Sequence, residues 1–462
     1  MEAAAARGRA RSAGAGPAAR GRARSTGAGE AERGPARSTG AGQAERPQTV
    51  RLFRGLLYGL VFASSGSQLA IVPILPAYAH RLGLSGLAQG ALLSATGLAT
   101  LAFCLPTGAL SDRVGARRLT LCAGALMTAA LLTQAVAPSF PVLFASRLVF
   151  GLGFGMIWTA GLSWLASVAP GGSSLGGSVA SAGAGGAVGP ALAGAGVQYF
   201  GLTVPFLAAA LVFALITAAL GLLGVPAPAP APAAPVSASL RAAAGDSRTI
   251  CAAAAIVTAG VTTGVSALLV PARLHAAGAS PGRIGLAFSV AGALFVAGST
   301  LTAAAGGRAV RVQVAFTGMF ALAIAVSPAA LTPAPWAVVS MLCATTAARS
   351  VLWTVSYPLA AMGAQHRGAG LGVVMGLLNG VWAATALLSP LLAGLAAEHV
   401  SPRAVFATTE AVCVVVLAAT VVLTRPTRHP DQSVPGGDRA LEPASRLGHR
   451  RAGGQGESDD ED

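Results

Sequence analysis

The chain has 462 residues, of which 54% are hydrophobic and only 10% are charged, and its mean hydropathy is +0.66. A composition this apolar excludes an ordinary soluble domain and is typical of a protein that crosses a membrane repeatedly. The net charge of +15 does not indicate nucleic-acid binding, because the arginines cluster in an N-terminal tail and in short loops. The five cysteines all lie in apolar stretches and never as C-x-x-C, so we predict no disulfide framework, no metal site and no cofactor.

Polar, low-complexity segments divide the chain into five parts. Residues 1–49 are rich in Arg, Ala and Gly and repeat the string ARSTGAG, which predicts either a disordered cytoplasmic tail or a basic arm that touches anionic lipid. Residues 50–225 and 249–424 are each predicted to form a bundle of six helices. A linker rich in Pro and Ala joins them over residues 226–248, and residues 425–462 are predicted to be a second disordered cytoplasmic tail.

Apolar stretches of about 20 residues, the length needed to cross a bilayer, recur along both bundles. We predict twelve transmembrane helices at residues 55–79, 85–107, 119–137, 140–164, 175–197, 203–224, 250–272, 282–304, 311–330, 334–362, 369–395 and 403–424. The fold class is therefore an all-α integral membrane protein.

The two halves are related in sequence, which predicts two pseudo-symmetric six-helix bundles. Shifts of 195 to 202 residues superimpose residues at corresponding helices. The matched pairs include Pro76 and Pro271, Gly90 and Gly285, Arg113 and Arg308, Arg147 and Arg349, Pro190 and Pro390, and Gly194 and Gly394.

Arginines beside the spans predict the orientation, because positively charged loops stay on the cytoplasmic side. The loops on the side of the termini hold more arginines than the opposite loops, and the basic tail agrees with that asymmetry. We therefore predict a multi-pass protein of the plasma membrane with both termini in the cytoplasm.

The loop after the second helix carries a glycine and arginine motif, formed by Gly108, Asp112, Arg113, Gly115, Arg117 and Arg118. Glycines permit a tight turn, arginines hold the loop in the cytosol, and Asp112 suits a positive helix N-terminus. The motif resembles the loop 2–3 signature of the major facilitator superfamily. The resemblance implies that Asp112 latches onto the start of helix 11, near residues 368–372. A simple topology signal is the alternative.

Two further motifs resemble those of the twelve-helix drug and metabolite exporters of that superfamily, which are drug:proton antiporters. Arg147 to Gly151 in helix 4 is similar to their Arg-x-x-Gln-Gly motif, with Phe150 in place of the glutamine. Helix 5 carries a pattern similar to their helix-bending antiporter motif, formed by Gly185, Gly189, Pro190 and Gly194, and Pro390 repeats its proline in helix 11. Small residues let helices approach closely and proline permits bending, so this resemblance favours export.

Charged side chains inside the spans are candidates for the cavity or for coupling, because they are costly in hydrocarbon. Arg147 and Arg349 would bind an anionic substrate or tune a carboxylate, or else would extend to headgroups. Glu410 lies well inside a span and is a candidate proton carrier, the alternative being a satisfied residue near the outer mouth. In helix 1, Gln68 and several serines stand where many of the exporters carry an acid.

In this superfamily helices 1, 4, 7 and 10 line a central cavity. The resemblance therefore makes candidate substrate contacts of Gln68, Trp158, Trp353 and Tyr357, with Asn379 and Trp382 on helix 11 nearby. Aromatic rings offer stacking surfaces for ligands, but packing and interfacial belts use them equally.

These features favour a secondary active transporter that works by alternating access and exports a small amphipathic drug-like compound or metabolite, with protons as the candidate coupling ion. Its predicted partners are this small molecule and the lipid bilayer. An uptake permease for a metabolite or small anion and a non-transporting sensor or partner subunit are the alternatives. We do not predict an enzyme, because the sequence clusters no His, Asp or Glu in a catalytic pattern.

Overall fold

The computed structural model describes residues 47–168, 172–226, 241–369 and 371–425, and their side chains except those at 47, 104–109, 111–113, 172–175 and 371–372. The tails predicted at residues 1–49 and 425–462, and the linker predicted at 226–248, lie almost wholly outside the described residues. Where they overlap, residue 47 already begins a helix and residues 241–244 are helical.

Twelve long helices make up the described part of the chain. In the first half they are α1 (Pro47–Leu82), α2 (Gly86–Val114), α3 (Ala116–Val136), α4 (Phe140–Val168), α5 (Gly172–Phe200) and α6 (Thr203–Leu223). In the second half they are α7 (Ser247–Ala276), α8 (Pro281–Ala304), α9 (Val312–Leu331), α10 (Pro335–Arg367), α11 (Leu371–His399) and α12 (Pro402–Leu423). Each predicted span has its helix, so the all-α membrane fold is confirmed.

Eleven of these helices are long and apolar enough to cross a bilayer, and α5, which is rich in glycine and serine, is the exception. Apolar residues also face outward from the bundle, among them Leu211, Leu215 and Leu222 on α6 and Val415 and Val422 on α12. An apolar exterior of this kind needs a lipid environment.

The helices run further than the predicted spans because backbone hydrogen bonding continues where the apolar pattern stops. The α1 helix begins eight residues before its predicted span at residue 55, and α2 extends from its predicted end at residue 107 to Val114. Serine and proline define two of the sharper starts: Ser280 and Ser401 cap α8 and α12, each followed by a proline.

Successive helices alternate in direction, so the bundle has two ends. We call the end where α1 begins and α12 ends the termini end, and the end where α1 joins α2 and α11 joins α12 the distal end. Within the first half α1 packs on α5 and α3 packs on α6; within the second, α7 packs on α10 and α9 on α12. The halves meet where α2 packs on α11 and α5 packs on α8.

An acidic cap joins two helices of the second half at the termini end. Asp246 is 4% exposed and caps α7 by accepting from the backbone N–H groups of Arg248 and Thr249. Its Oδ2 atom also lies 3.1 Å from Nδ1 of His366 and 3.9 Å from Nε of Arg367, both on the last turn of α10. The beginning of the second half is therefore fixed at the termini end by Asp246, which the sequence analysis placed in the linker.

Candidate functional site: a cavity between two bundles

The halves close against each other at the distal end through two equivalent contacts. A methyl group at Gly90 of α2 would collide with the carbonyl oxygen of Pro390 in α11, and one at Gly285 of α8 would collide with the carbonyl oxygen of Pro190 in α5. Gly90 matches Gly285 in the sequence repeat, as Pro190 matches Pro390. Only glycine permits a backbone approach this close.

The same surface continues on either side of these contacts. Gly194 lies against the carbonyl of Pro281, and its repeat partner Gly394 lies against the carbonyl of Gly86. Hydrogen bonds also cross the halves, from the Ser94 hydroxyl to the Leu387 carbonyl at 2.5 Å and from the Ala191 N–H to the Ser289 hydroxyl at 3.0 Å. The distal end is thus a packed and hydrogen-bonded seal.

Glu398 adds a side-chain contact to this seal. Its Oε1 atom on the last turn of α11 accepts a 2.8 Å hydrogen bond from the backbone N–H of Leu87, in the first turn of α2. The first N–H groups of a helix have no partner inside that helix and carry a partial positive charge. Glu398, on a helix of the second half, therefore provides the acceptor for a backbone N–H group at the start of a helix of the first half.

Toward the termini end, some residues of the second half have few neighbours among the described residues. Gly376 and Gly380 of α11 face open space, and Asn379 between them is exposed. Since the seal lies at the distal end, we infer that the space between the halves opens toward the termini end.

A chain of aromatic rings crosses this space between the halves. Phe154 of α4 stacks on Trp382 of α11 with ring centroids 6.4 Å apart, and Trp382 lies 6.4 Å from Trp353 of α10. Trp353 lies 5.8 Å from Tyr357, whose hydroxyl donates to Oδ1 of Asn379 at 2.9 Å. The predicted residues Trp353, Tyr357, Asn379 and Trp382 thus form one cluster.

Trp158 joins the cluster through a local departure from α-helical geometry. Residues Ile157–Gly161 form a π-helical turn inside α4, and the ring of Trp158 lies 6.1 Å from that of Phe154. A π turn inserts one residue and rotates the following face of the helix, and such turns occur frequently at functional sites. The indole Nε1 of Trp158 has no hydrogen-bond partner among the described residues.

Arg147 lies at the other side of Phe154, deep between α4 and α1. It is 1% exposed, its Nη2 donates to Oε1 of Gln68 at 3.1 Å, and its guanidinium carbon lies 4.7 Å from the centre of the Phe150 ring. Its Nε and Nη1 atoms find no acceptor in the described part of the chain. The predicted candidates Arg147 and Gln68 are thus direct partners.

Arg349 occupies the matching position on α10 and is half-buried. Its Nη1 donates to the hydroxyl of Thr263 on α7 at 2.6 Å, and its Nη2 donates to the hydroxyl of Thr346 at 3.0 Å. Both partners are neutral hydroxyl groups, so its charge meets no carboxylate within the described ranges.

Glu410 lies apart from the two arginines, between α12 and α9. Its side chain is half-buried, and Oε1 accepts a 2.7 Å hydrogen bond from the hydroxyl of Ser327 on α9. Both readings of Glu410, as a proton carrier and as a satisfied residue, fit a carboxylate with one neutral donor.

The turn between α2 and α3 is shorter than the motif at residues 108–118 that was predicted to form the gating loop. Helix α2 includes Gly108, Asp112 and Arg113, whose side chains lie outside the described residues, and the chain turns at Gly115 with φ of +93°. Arg117 donates to the Gly221 carbonyl at 3.0 Å and so joins α3 to α6, whereas Arg118 is exposed. Residues 370–372, near the predicted partner of Asp112, also lie outside the described side chains.

The predicted helix-bending motif packs α5 on both of its neighbours. A methyl group at Gly185 would collide with the carbonyl of Phe62, and one at Gly189 with that of Gly66, both in α1. Pro190 and Gly194 face α8 of the other half, as described above. In this conformation the motif therefore provides close packing within the first half and across the halves.

The sequence analysis missed three residues of this site. Phe150 was noted only as a departure from a motif, and Phe154 was not noted, because phenylalanine is ordinary in an apolar helix. Glu398 was passed over because it lies at a helix end. Its signal was a lone acid close to the glycine-rich start of α2, which only the packing of α11 on α2 makes meaningful.

Two pseudo-symmetric bundles of six helices, sealed against each other at one end and with polar and aromatic side chains between them, are the architecture of a class of membrane transporters. The family model described as Major Facilitator Superfamily matches residues 57–374 and 250–453. The chain belongs to this superfamily, and it is a transporter by family and fold.

Individual relatives are more distant. The chain is 31% identical over 112 residues to the quinolone resistance protein NorA of Staphylococcus aureus strain MRSA252, and 30% identical over 112 residues to that of strain Mu50. Each match covers 24% of this chain and 28% of NorA, so it spans well under a third of that protein.

Among solved structures, the chain resembles crystal structures of a bacterial homologue of the human lysosomal transporter Spinster. The inward-facing unoccupied form gives a TM-score of 0.63 and the inward-facing occupied form 0.65. Each is 16% identical, with 82% of this chain and 97% of that chain covered. At this sequence identity, the likeness is one of fold alone.

Proposed function

We propose that the chain exports a small amphipathic compound from the cytoplasm by alternating access, in exchange for protons. The observation that carries the proposal is the aromatic cluster of Phe154, Trp382 and Trp353, which joins both halves at the inner limit of the distal seal. A substrate that replaces contacts between Phe154 and Trp382 changes the relative energies of the open and closed states, as coupling requires.

Export is supported by the exporter-like motif of α5 and by the partial similarity to a protein named for quinolone resistance. With the termini in the cytoplasm, as the arginine distribution predicts, the cavity opens to the cytoplasm, from which an exporter loads. We place the protein in the plasma membrane, with both termini inside.

Everted membrane vesicles test the direction of transport. An exporter accumulates its substrate in everted vesicles when a proton gradient, acid inside, is imposed, and releases it when the gradient is collapsed. Accumulation only in right-side-out vesicles would instead indicate an uptake permease. Binding without movement in either orientation would indicate a sensor.

We propose Glu410 as the proton carrier, because it is a half-buried carboxylate inside a span with a neutral hydrogen-bond donor, Ser327. The change Glu410→Gln keeps an oxygen that accepts from Ser327 but cannot titrate, so transport should lose its dependence on the proton gradient. The change Ser327→Ala is the matched control, and an unchanged gradient dependence in Glu410→Gln excludes this role.

The remaining assignments are also proposals. We propose Arg147, Gln68, Arg349, Trp158, Tyr357 and Asn379 as cavity residues, together with the three aromatic residues above. We propose that Asp112 latches the termini end when the distal end opens. The change Asp112→Asn should then greatly slow transport while insertion is unchanged.

A further inference from the structure

Each of the two arginines inside the spans begins a row of aromatic side chains on its helix. On α4, Arg147 is followed at three, seven and eleven positions by Phe150, Phe154 and Trp158, and on α10 Arg349 is followed at four and eight positions by Trp353 and Tyr357. Residues at such spacings share one face of an α-helix, and Trp158, although it lies in the π turn, keeps its ring 6.1 Å from that of Phe154. In both rows the arginine is nearer the distal seal and the aromatic residues continue toward the open end.

The two rows come together across the halves. Phe154 of the first row and Trp353 of the second each lie 6.4 Å, centroid to centroid, from Trp382 of α11. The aromatic rings therefore line the cavity at the inner limit of the distal seal, and a cationic group lies at the distal end of each row.

The charges of the rows are not balanced by the described residues. Two nitrogen atoms of Arg147, Nε and Nη1, have no acceptor there, and Arg349 contacts the hydroxyl groups of Thr263 and Thr346. The ion pairs of the described chain belong to Asp246, at the termini end. A buried guanidinium without a counter-charge is costly, and a cation placed between two such groups is repelled.

We infer that the transported compound is an amphipathic organic anion that lies in the cavity with its charged group toward the distal seal. A carboxylate or sulfonate meets the arginines, and a planar or aromatic body lies along Trp353, Trp382 and Phe154. Guanidinium groups bind such anions through short, charge-assisted hydrogen bonds, and aromatic rings stack on planar bodies. This inference rests on the proposed function, since it names the substrate class of the same cavity.

Three probes that share a naphthalene ring and differ in the charge of its substituent test the inference: 2-naphthoate, its methyl ester and 2-naphthylmethylammonium. Binding to the purified full-length protein is followed by quenching of tryptophan fluorescence, because three of the five tryptophans belong to the cluster. The anion should bind about tenfold or more tightly than the ester, as expected for a hydrogen bond to a charged group. The ammonium compound should bind most weakly.

Variants then assign the preference to the rows. Arg349→Gln should remove the preference for the anion and leave binding of the ester unchanged, and Arg349→Lys should restore part of it. The matched control is Arg403→Gln, which removes an exposed arginine at the start of α12 and should change neither. Arg349 is chosen first because it is half-buried, so its loss disturbs folding less than that of Arg147.

Two results would overturn the inference: equal or tighter binding of the ester or the ammonium compound, or no binding of any probe at millimolar concentration. Neither result decides the vesicle test, because that test measures transport and not binding. If naphthoate binds with the expected preference but no compound moves in vesicles of either orientation, amphipathic anions are ligands of the protein and the proposed transport is wrong.

Discussion

At the scale of single residues, the cavity is lined by a few large side chains, and the role of each depends on the residues that it contacts. Trp353, Tyr357, Asn379 and Trp382 were predictable as candidates from their residue types and helices. Their contact with one another was not, because it depends on how α10 and α11 pack. Phe154 shows the limit most clearly, since nothing in the sequence separates it from other apolar residues of α4.

Trp382 is the residue on which both halves converge, so its loss should affect substrate binding. The change Trp382→Ala removes the stacking on Phe154 and Trp353, and aromatic contacts of this kind contribute about 0.5–1.5 kcal/mol beyond the area they bury. We expect a weaker apparent affinity in vesicle transport, by about threefold to tenfold.

Trp336→Ala is the matched control, because that tryptophan is 68% exposed at the start of α10. Its loss should leave the apparent affinity unchanged. An equal loss in both variants would mean that tryptophan removal acts through general packing rather than through the cavity.

Glu398 is a positioning residue of the distal seal. The change Glu398→Ala removes the acceptor for Leu87, and we expect the distal end to open more often, while Glu398→Gln retains an oxygen and should have a smaller effect. The measurement is the labelling rate of a cysteine introduced at Ser94, which is 2% exposed within the seal, in protein without native cysteines. Equal labelling in all three proteins would show that the contact does not hold the seal.

At the scale of the helices, the sequence predicted which helices exist and in what order, but not where they end or where their geometry departs from an α-helix. Apolar runs located every span, yet α2 continues to Val114 through residues taken for a loop, and only Gly115, with its positive φ, breaks it. The π turn of α4 has no sequence pattern of its own.

The contact of α2 with α11 provides a prediction for a whole element. The change Gly90→Leu places a side chain against the Pro390 carbonyl, so the distal end should fail to close, while the protein still inserts. Transport should be lost, and the cysteine at Ser94 should label rapidly from the distal side.

Gly55→Leu is the control, since Gly55 of α1 faces open space and a side chain there meets nothing. It should retain both transport and protection of Ser94. Slow labelling in Gly90→Leu would contradict the described seal.

At the scale of the whole molecule, the sequence predicted the two halves, their relation and the class of fold. It did not predict which end is closed, because one sequence must specify both the open and the closed form of each end, and their energies differ by only a few kcal/mol. The pairing of repeat partners across the seal was likewise invisible until the halves were seen together.

The orientation of the molecule is open to a direct test. A cysteine introduced at Gly278, in the loop between α7 and α8, should react with a membrane-impermeant maleimide in intact cells, because that loop is at the distal end. A cysteine at Arg118, beside the α2–α3 turn, should react only after the membrane is permeabilised. The reverse pattern would place the termini outside and make the open cavity face outward.

The paired contacts of Gly90 with Pro390 and Gly285 with Pro190 have a consequence for the origin of the chain. If Gly90 and Gly285 descend from one residue, and the two prolines from another, then both contacts are a single contact made twice about a two-fold axis. That is the geometry of an isologous homodimer. A six-helix ancestor that paired with a second copy of itself would already have possessed this seal, and gene duplication with fusion would have preserved it while freeing the two cavity-lining rows to diverge.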